Sequence, residues 1–197
     1  NEALYQNIKT RVAGIEIEWY PALLNVIGTS NVTIKGQGIL DGNGPYWWNK
    51  YWGLDMKGGY RKIYDEKGLR FAADYDCKRP RNLLVQNSSN VKIYDITSTS
   101  SGFWNIHILY SNDILIENVK IKSEAINSPS TDGIDIDSSY NVVVNKVETN
   151  CNDDSVCIKS GRDFDGIRVG RPSHDITISN SIINKGFGVT IGSEISG

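Results

Sequence analysis

The segments "SPSTDGIDIDSS" (128–139) and "NCNDDSVCIKSG" (150–161) set Asp132, Asp135, Asp137, Asp153 and Asp154 at the starts of two short apolar runs. Carboxylates crowded together raise one another's proton affinity. Such a cluster holds a metal, shares a proton, or performs acid–base chemistry. Calcium is the rival occupant, since hard cations take clustered Asp oxygens. The choice depends on whether the two segments meet in space.

The elements that must bring them together are short strands in a repeat. A phrase of Asn or Asp followed by alternating β-branched residues recurs. It reads "SNVTIKGQGIL" from Ser30, "SNVKIYDITST" from Ser89, "NDILIENVKIK" from Asn112, "YNVVVNKVETN" from Tyr140 and "HDITISNSIIN" from His174. The last four anchors, Asn90, Asp113, Asn141 and Asp175, are 23, 28 and 34 residues apart. A later strand follows each of these phrases or lies between them, in "FWNIHI" (from Phe103), "GIDI" (Gly133), "SVCI" (Ser155) and "GVTI" (Gly188). Period-two alternation means strands, and a repeat of roughly 20–50 residues means a solenoid, propeller or array. Corner Asn residues and few hairpin signals point to an all-β parallel β-helix, expected as a single domain over 1–197. The segment 43–75 breaks the repeat and reads as a loop excursion. Its Trp47, Trp48, Tyr51 and Trp52 either stack on sugar rings at a cleft rim or seal the loop onto the solenoid.

In a solenoid, equivalent positions of successive coils lie about 4.8 Å apart. We align Trp104/Ile106, Ile134/Ile136, Val156/Ile158 and Val189/Ile191 as inward pairs. The outward rows are then Asn105, Asp135, Cys157 and Thr190, and next His107, Asp137, Lys159 and Gly192. Just before the strands, Asp132 falls on Asp154 and Thr131 on Asp153. Gly133 is expected to permit a corner that turns Asp132 outward. Two neighbouring carboxylates can hold a water, with a third group set off as proton donor. That arrangement belongs to inverting glycosidases, whose acid and base stand roughly 6.5–9.5 Å apart. Asp135 and Asp137 are the acids most readily explained as structural. His107 reads as a cleft-wall hydrogen bonder rather than a base. Lys159 either contacts an anionic sugar or neutralises Asp154 and Asp137. Cys157 has no His at nucleophile-activating spacing.

At 197 residues and 39% hydrophobic content, the chain can bury a core. Its net charge of −2 gives no basic footprint for nucleic acid. No apolar run approaches a membrane span and no signal peptide starts at Asn1, so the chain is expected to be a mature or partial form. Cys77, Cys151 and Cys157 form no CxxC zinc pattern and read as small buried residues, although Cys151 and Cys157 could pair. Asn31 and Asn87 head glycosylation tripeptides that matter only in a eukaryotic secretory route.

Six pieces in order, "GQGILDGNG" (36–44), "RP" (79–80), "FWNIHI" (103–108), "TDGIDIDSS" (131–139), "NDDSVCIKSGRD" (152–163) and "GFGVTIGSE" (186–194), resemble the polygalacturonase family of pectin-cleaving glycosidases, in particular its bacterial branch. The resemblance implies a right-handed parallel β-helix that hydrolyses galacturonic-acid linkages with inversion and no cofactor. It implies Asp153 as general acid and Asp132 with Asp154 as activators of the attacking water, and it holds no metal site. Lys159 and His107 are expected to bind substrate. Expected partners are a pectic polysaccharide or oligosaccharide, with no nucleic acid and no membrane, for a monomer that is secreted or periplasmic. Three departures stand out. Ser130 replaces the family's Asn before Thr-Asp-Gly, Phe187 replaces the His of Gly-His-Gly, and the Arg-x-Lys motif would lie past Gly197. A partial chain is therefore expected. The competing functions are a non-catalytic polysaccharide-binding β-helix and a calcium-dependent pectin lyase.

Overall fold

A computed structural model describes residues 2–69 and 72–197. Each turn of the chain adds one strand to each of three parallel sheets, which together make a right-handed β-helix. One turn runs Leu83–Gln86, Ser89–Tyr94 and Thr97–Thr99, then re-enters the first sheet at Ile106–Leu109. That first sheet carries the acids. It stacks Leu24–Ile27, Leu83–Gln86, Ile106–Leu109, Ile134–Asp137, Val156–Lys159 and Val189–Ile191 in that order.

The repeat phrases form the second sheet, and their anchors explain the corners. Asn31, Asn90, Asp113, Asn141 and Asp175 all adopt left-handed backbone, with φ of 60°, 51°, 56°, 52° and 53°. Asn and Asp tolerate this region better than other residues carrying a Cβ. Inside the coils, alternate residues make one continuous column of apolar side chains. Val91, Ile93, Ile114, Ile116, Ile134, Ile136, Val142 and Val144 are all buried in it, each contributing about 1.5–3 kcal/mol by leaving water.

The register departs from the sequence alignment at one coil. Ile134 pairs with Val156, and Val156 with Val189, as expected. Ile106, however, stands beside Ile134, and His107 beside Asp135. The expected partners had been Trp104 for Ile134 and Asp137 for His107. Within the strand a slip of two residues keeps Ile106 inward and His107 outward, so alternation alone could not exclude it. The bend before the strand reverses the two residues ahead of it: Trp104, expected inward, packs outside with Val12 and Trp19 and against His107, and Asn105, expected outward, turns inward to accept from Ser98 and Ser123.

Besides the short helices Glu2–Leu4 and Asp163–Val169, a hairpin and an excursion lie outside the repeat. An antiparallel hairpin, Ile8–Val12 with Ile15–Trp19, turns through Ala13 (φ 46°) and Gly14 (φ 81°). It covers the outer face of the acid-bearing sheet: Arg11 donates to Asp137, and Gln86 donates to the Lys9 carbonyl. Of the residues expected outward, His107, Asp135, Asp137, Cys157 and Lys159 are buried and Thr190 is half-buried, where the alignment implied exposure. The excursion at 43–75 is helical rather than a loop, comprising Gly44–Trp52, Gly59–Glu66 and Ala73–Asp76; its residues 70 and 71, like Asn1, lie outside the described residues. In its first helix Trp47, Trp48 and Tyr51 fall on one buried face, so these three seal the excursion onto the solenoid. Trp52 is half-buried and reaches a cleft.

Candidate active site

Asp132 stands two residues before the first residue of the strand Ile134–Asp137, and Asp154 stands before Val156–Lys159 at the same interval. The Gly133 N–H donates to the Asp154 carbonyl at 2.8 Å, locking the two acids onto adjacent coils. Gly133 is required for a reason other than the corner expected. Its φ is not positive; instead a Cβ there would overlap the Ser155 carbonyl oxygen of the next coil. Asp153 sits beside Asp154 in the bend after Glu148–Cys151. Its Oδ1 accepts from the Asp154 N–H at 3.0 Å, and its carbonyl accepts from the Phe187 N–H at 3.0 Å.

Asp132, Asp153 and Asp154 each place an oxygen within 4.8 Å of the other two. This is tighter than the spacing expected from the sequence. A point among three such corners lies within about 2.8 Å of each, the length of a water hydrogen bond. The trio lies in a cleft of about 470 Å³ whose opposite wall comes from the excursion and includes Tyr51, Trp52, Arg61 and Asp74. Asp132 is 4% exposed, and its Oδ1 has no hydrogen-bond partner in the protein. Burial, then the charges of Asp135 and Asp153, push its carboxyl well above the usual range. Burial and next Asp154 raise Asp153 to about 6. Asp153 thus keeps a proton in mildly acidic solution, which a general acid needs.

The other acids fall into distinct settings. Asp137 is fully buried and paired with Arg11 at 3.1 Å, a structural role. Asp135 is also fully buried, its oxygens without hydrogen bonds and 3.7 Å from the Lys159 ammonium; burial raises its carboxyl well above normal. Among the described residues, Asp132, Asp135 and Cys157 form a second grouping with metal-compatible spacing. The three cysteines are free and buried, with Cys151 and Cys157 unpaired.

The two expected substrate-binding residues are placed differently from one another. His107 does not line the cleft. The hairpin and Trp104 enclose it completely, and its Nδ1 accepts from Arg81 Nη1 at 2.7 Å. Burial lowers its pKa to about 4, so the ring stays neutral. Lys159 does border the cleft, but its partners are not Asp154 and Asp137. Its Nζ donates to Glu194 Oε2 at 2.8 Å, with Asp135 next. Burial opposes that charge, while Asp135, Asp132 and Glu194 outweigh it and hold the ammonium well above the usual lysine range.

Several cleft residues were not singled out from sequence. Glu194 bridges Lys159 to Arg162, whose other nitrogen donates to Tyr75 at 2.5 Å. Both sat inside quoted motifs, but only the fold sets them at the cleft. Asp74 belongs to the excursion, where no repeat spacing could align it, and its partner Arg79, from the quoted "RP", is fully buried behind the cleft.

A ribbon of parallel coils with three acids converging in one cleft defines an all-β parallel β-helix bearing a carboxylate cluster. Residues 9–197 match the family described as glycosyl hydrolases family 28, and the chain belongs to that family. A probable polygalacturonase of Vitis vinifera is 30% identical over 181 residues, 90% of this chain and 33% of its own length. Among solved structures, a hyperthermoactive exopolygalacturonase from Thermotoga maritima is 30% identical with a TM-score of 0.83, over 98% of this chain and 48% of that one. A polygalacturonase from Erwinia carotovora shares the fold at 23% identity and a TM-score of 0.68, over 99% of this chain and 48% of its own. The chain therefore spans between a third and a half of the length of these relatives.

Proposed function

We propose that the protein is a glycoside hydrolase that cleaves galacturonic-acid linkages in pectin with inversion, using Asp153 as general acid and Asp132 with Asp154 as the water-activating pair. The convergence of these three carboxylates in one cleft, with Asp153 raised to about 6, carries this reading. Asp153 gives its proton to the bridging oxygen as the bond from that oxygen to the anomeric carbon breaks. A water held by Asp132 and Asp154 attacks the same carbon from the opposite side and leaves its proton on that pair. The sum is addition of one water across the bond, with no cofactor. Inversion rests on the room for a water among the acids; it does not rest on their separation, which is shorter than most inverting sites show. Lys159 and Arg162, bridged by Glu194, supply positive charge for a uronate carboxylate. A pectic polymer is met outside the cytoplasm, which fits a secreted or periplasmic setting.

Replacing the acid tests the assignment. Asp153→Asn in the full-length gene product should cut kcat on polygalacturonate about 10²–10⁴-fold with a smaller change in KM. Full turnover in that variant, scored by new reducing ends, would remove Asp153 from the role.

A further inference from the structure

A fourth acid faces the catalytic trio from the other wall. Asp74 lies in the short helix Ala73–Asp76 and borders the same cleft. Its Oδ1 accepts two bonds, from Arg79 Nη2 at 2.6 Å and from Ser130 Oγ at 2.9 Å. Arg79 is fully buried, held between the rings of Tyr51 and Phe103 at 4.7 Å from each. Its Nη1 donates to the Pro129 carbonyl at 2.7 Å and to that of Gly102 at 3.3 Å. Ser130 itself has φ of 53°, a left-handed conformation that a residue with a Cβ adopts only at a cost. The turn Ser128–Thr131 that delivers Asp132 is therefore held in an unfavourable backbone state by two residues from outside the repeat.

We infer that Asp74 is a positioning residue for hydrolysis: through Ser130 and Arg79 it fixes the turn that presents Asp132, and it sets a carboxylate across the cleft from Asp153. This rests on the hydrolase reading above. A purely structural partner for Arg79 could be as buried as Arg79 is, yet the Asp74 side chain is 27% exposed on the cleft side of the pair. The remaining charged groups around Asp153 are Asp154 on its own bend, Asp132, Asp135 and Lys159 on the coil wall, Arg61 on the excursion, and Arg162 with Glu194 on the far lip. Against that set Asp74 adds negative charge, which favours the protonated form of Asp153. Ser130, where the family's Asn is expected, supplies the hydroxyl that ties the turn to Asp74.

Two variants in the full-length gene product separate position from charge. Asp74→Ala removes the acceptor and should lower kcat on polygalacturonate by about 10²-fold with little change in KM, since small misplacements at a reacting centre have effects of this order. Asp74→Asn keeps an oxygen for Arg79 and Ser130 while deleting the charge. It should recover most of kcat, with the alkaline limb of the pH profile displaced downward by roughly half a pH unit. Wild-type kcat and an unmoved limb in both variants, alongside an inactive Asp153→Asn, would overturn the inference and leave the hydrolase reading standing. Wild-type protein without any turnover would overturn both together.

Discussion

At the residue scale, the site depends on raising the proton affinity of a carboxylate by burying it among other acids. Asp153 is held near 6 by burial and by the charge of Asp154 beside it. Because the general acid must be protonated, kcat should fall as pH rises through about 6, and Asp153 should set that limb. A rate profile flat from pH 5 to 8 would conflict with the assignment. The trio was legible because adjacency of Asp132 and Asp154 needs only the common interval between each acid and its following strand. The settings of His107 and Lys159 were not legible. Their outward direction follows from alternation, but the hairpin that buries His107 and the Glu194 that claims Lys159 come from distant chain. Phe187, in place of the family's His, stands 75% exposed beside the Asp153 bend and brings no ionisable side chain to it.

At the element scale, strand register transmits sequence into chemistry. Gly133 illustrates this, because its missing Cβ lets the Ser155 carbonyl approach and keeps Asp132 level with Asp154. Gly133→Ala should separate the two coils locally. We expect kcat to fall by about 10²-fold or more while far-ultraviolet circular dichroism still reports a β-rich fold. Unchanged kinetics would mean that this contact does not set the spacing of the acids. Sequence resolved register wherever strands begin with a matching phrase, and it missed by two residues at Phe103–Ile108, where Trp104 and Ile106 are equally apolar but Trp104 faces the hairpin rather than the core. The hairpin escaped notice because its turn is Ala13–Gly14 rather than the Asn-Gly or Asp-Gly signal. The helices of the excursion escaped because they contain one buried face each at most and no cap signal tied to the repeat.

At the scale of the whole molecule, the solenoid is a ruler that converts separations of 22 residues along the chain, as between Asp132 and Asp154, into neighbouring positions on one wall. The excursion then makes a cleft of that wall by standing opposite it. The ruler was visible in sequence as a repeat, whereas the opposing wall has no repeat and had to be seen folded. The central claim is that the trio activates a water rather than forming a covalent link to the sugar or drawing off a ring proton. The anomeric configuration of freshly released sugar, followed by proton NMR during the first turnovers of the full-length gene product on defined oligogalacturonides, tests this most directly. The account expects the anomer opposite to that of the cleaved linkage. Release of the same anomer, or of an unsaturated product whose formation stops in chelator, would contradict it.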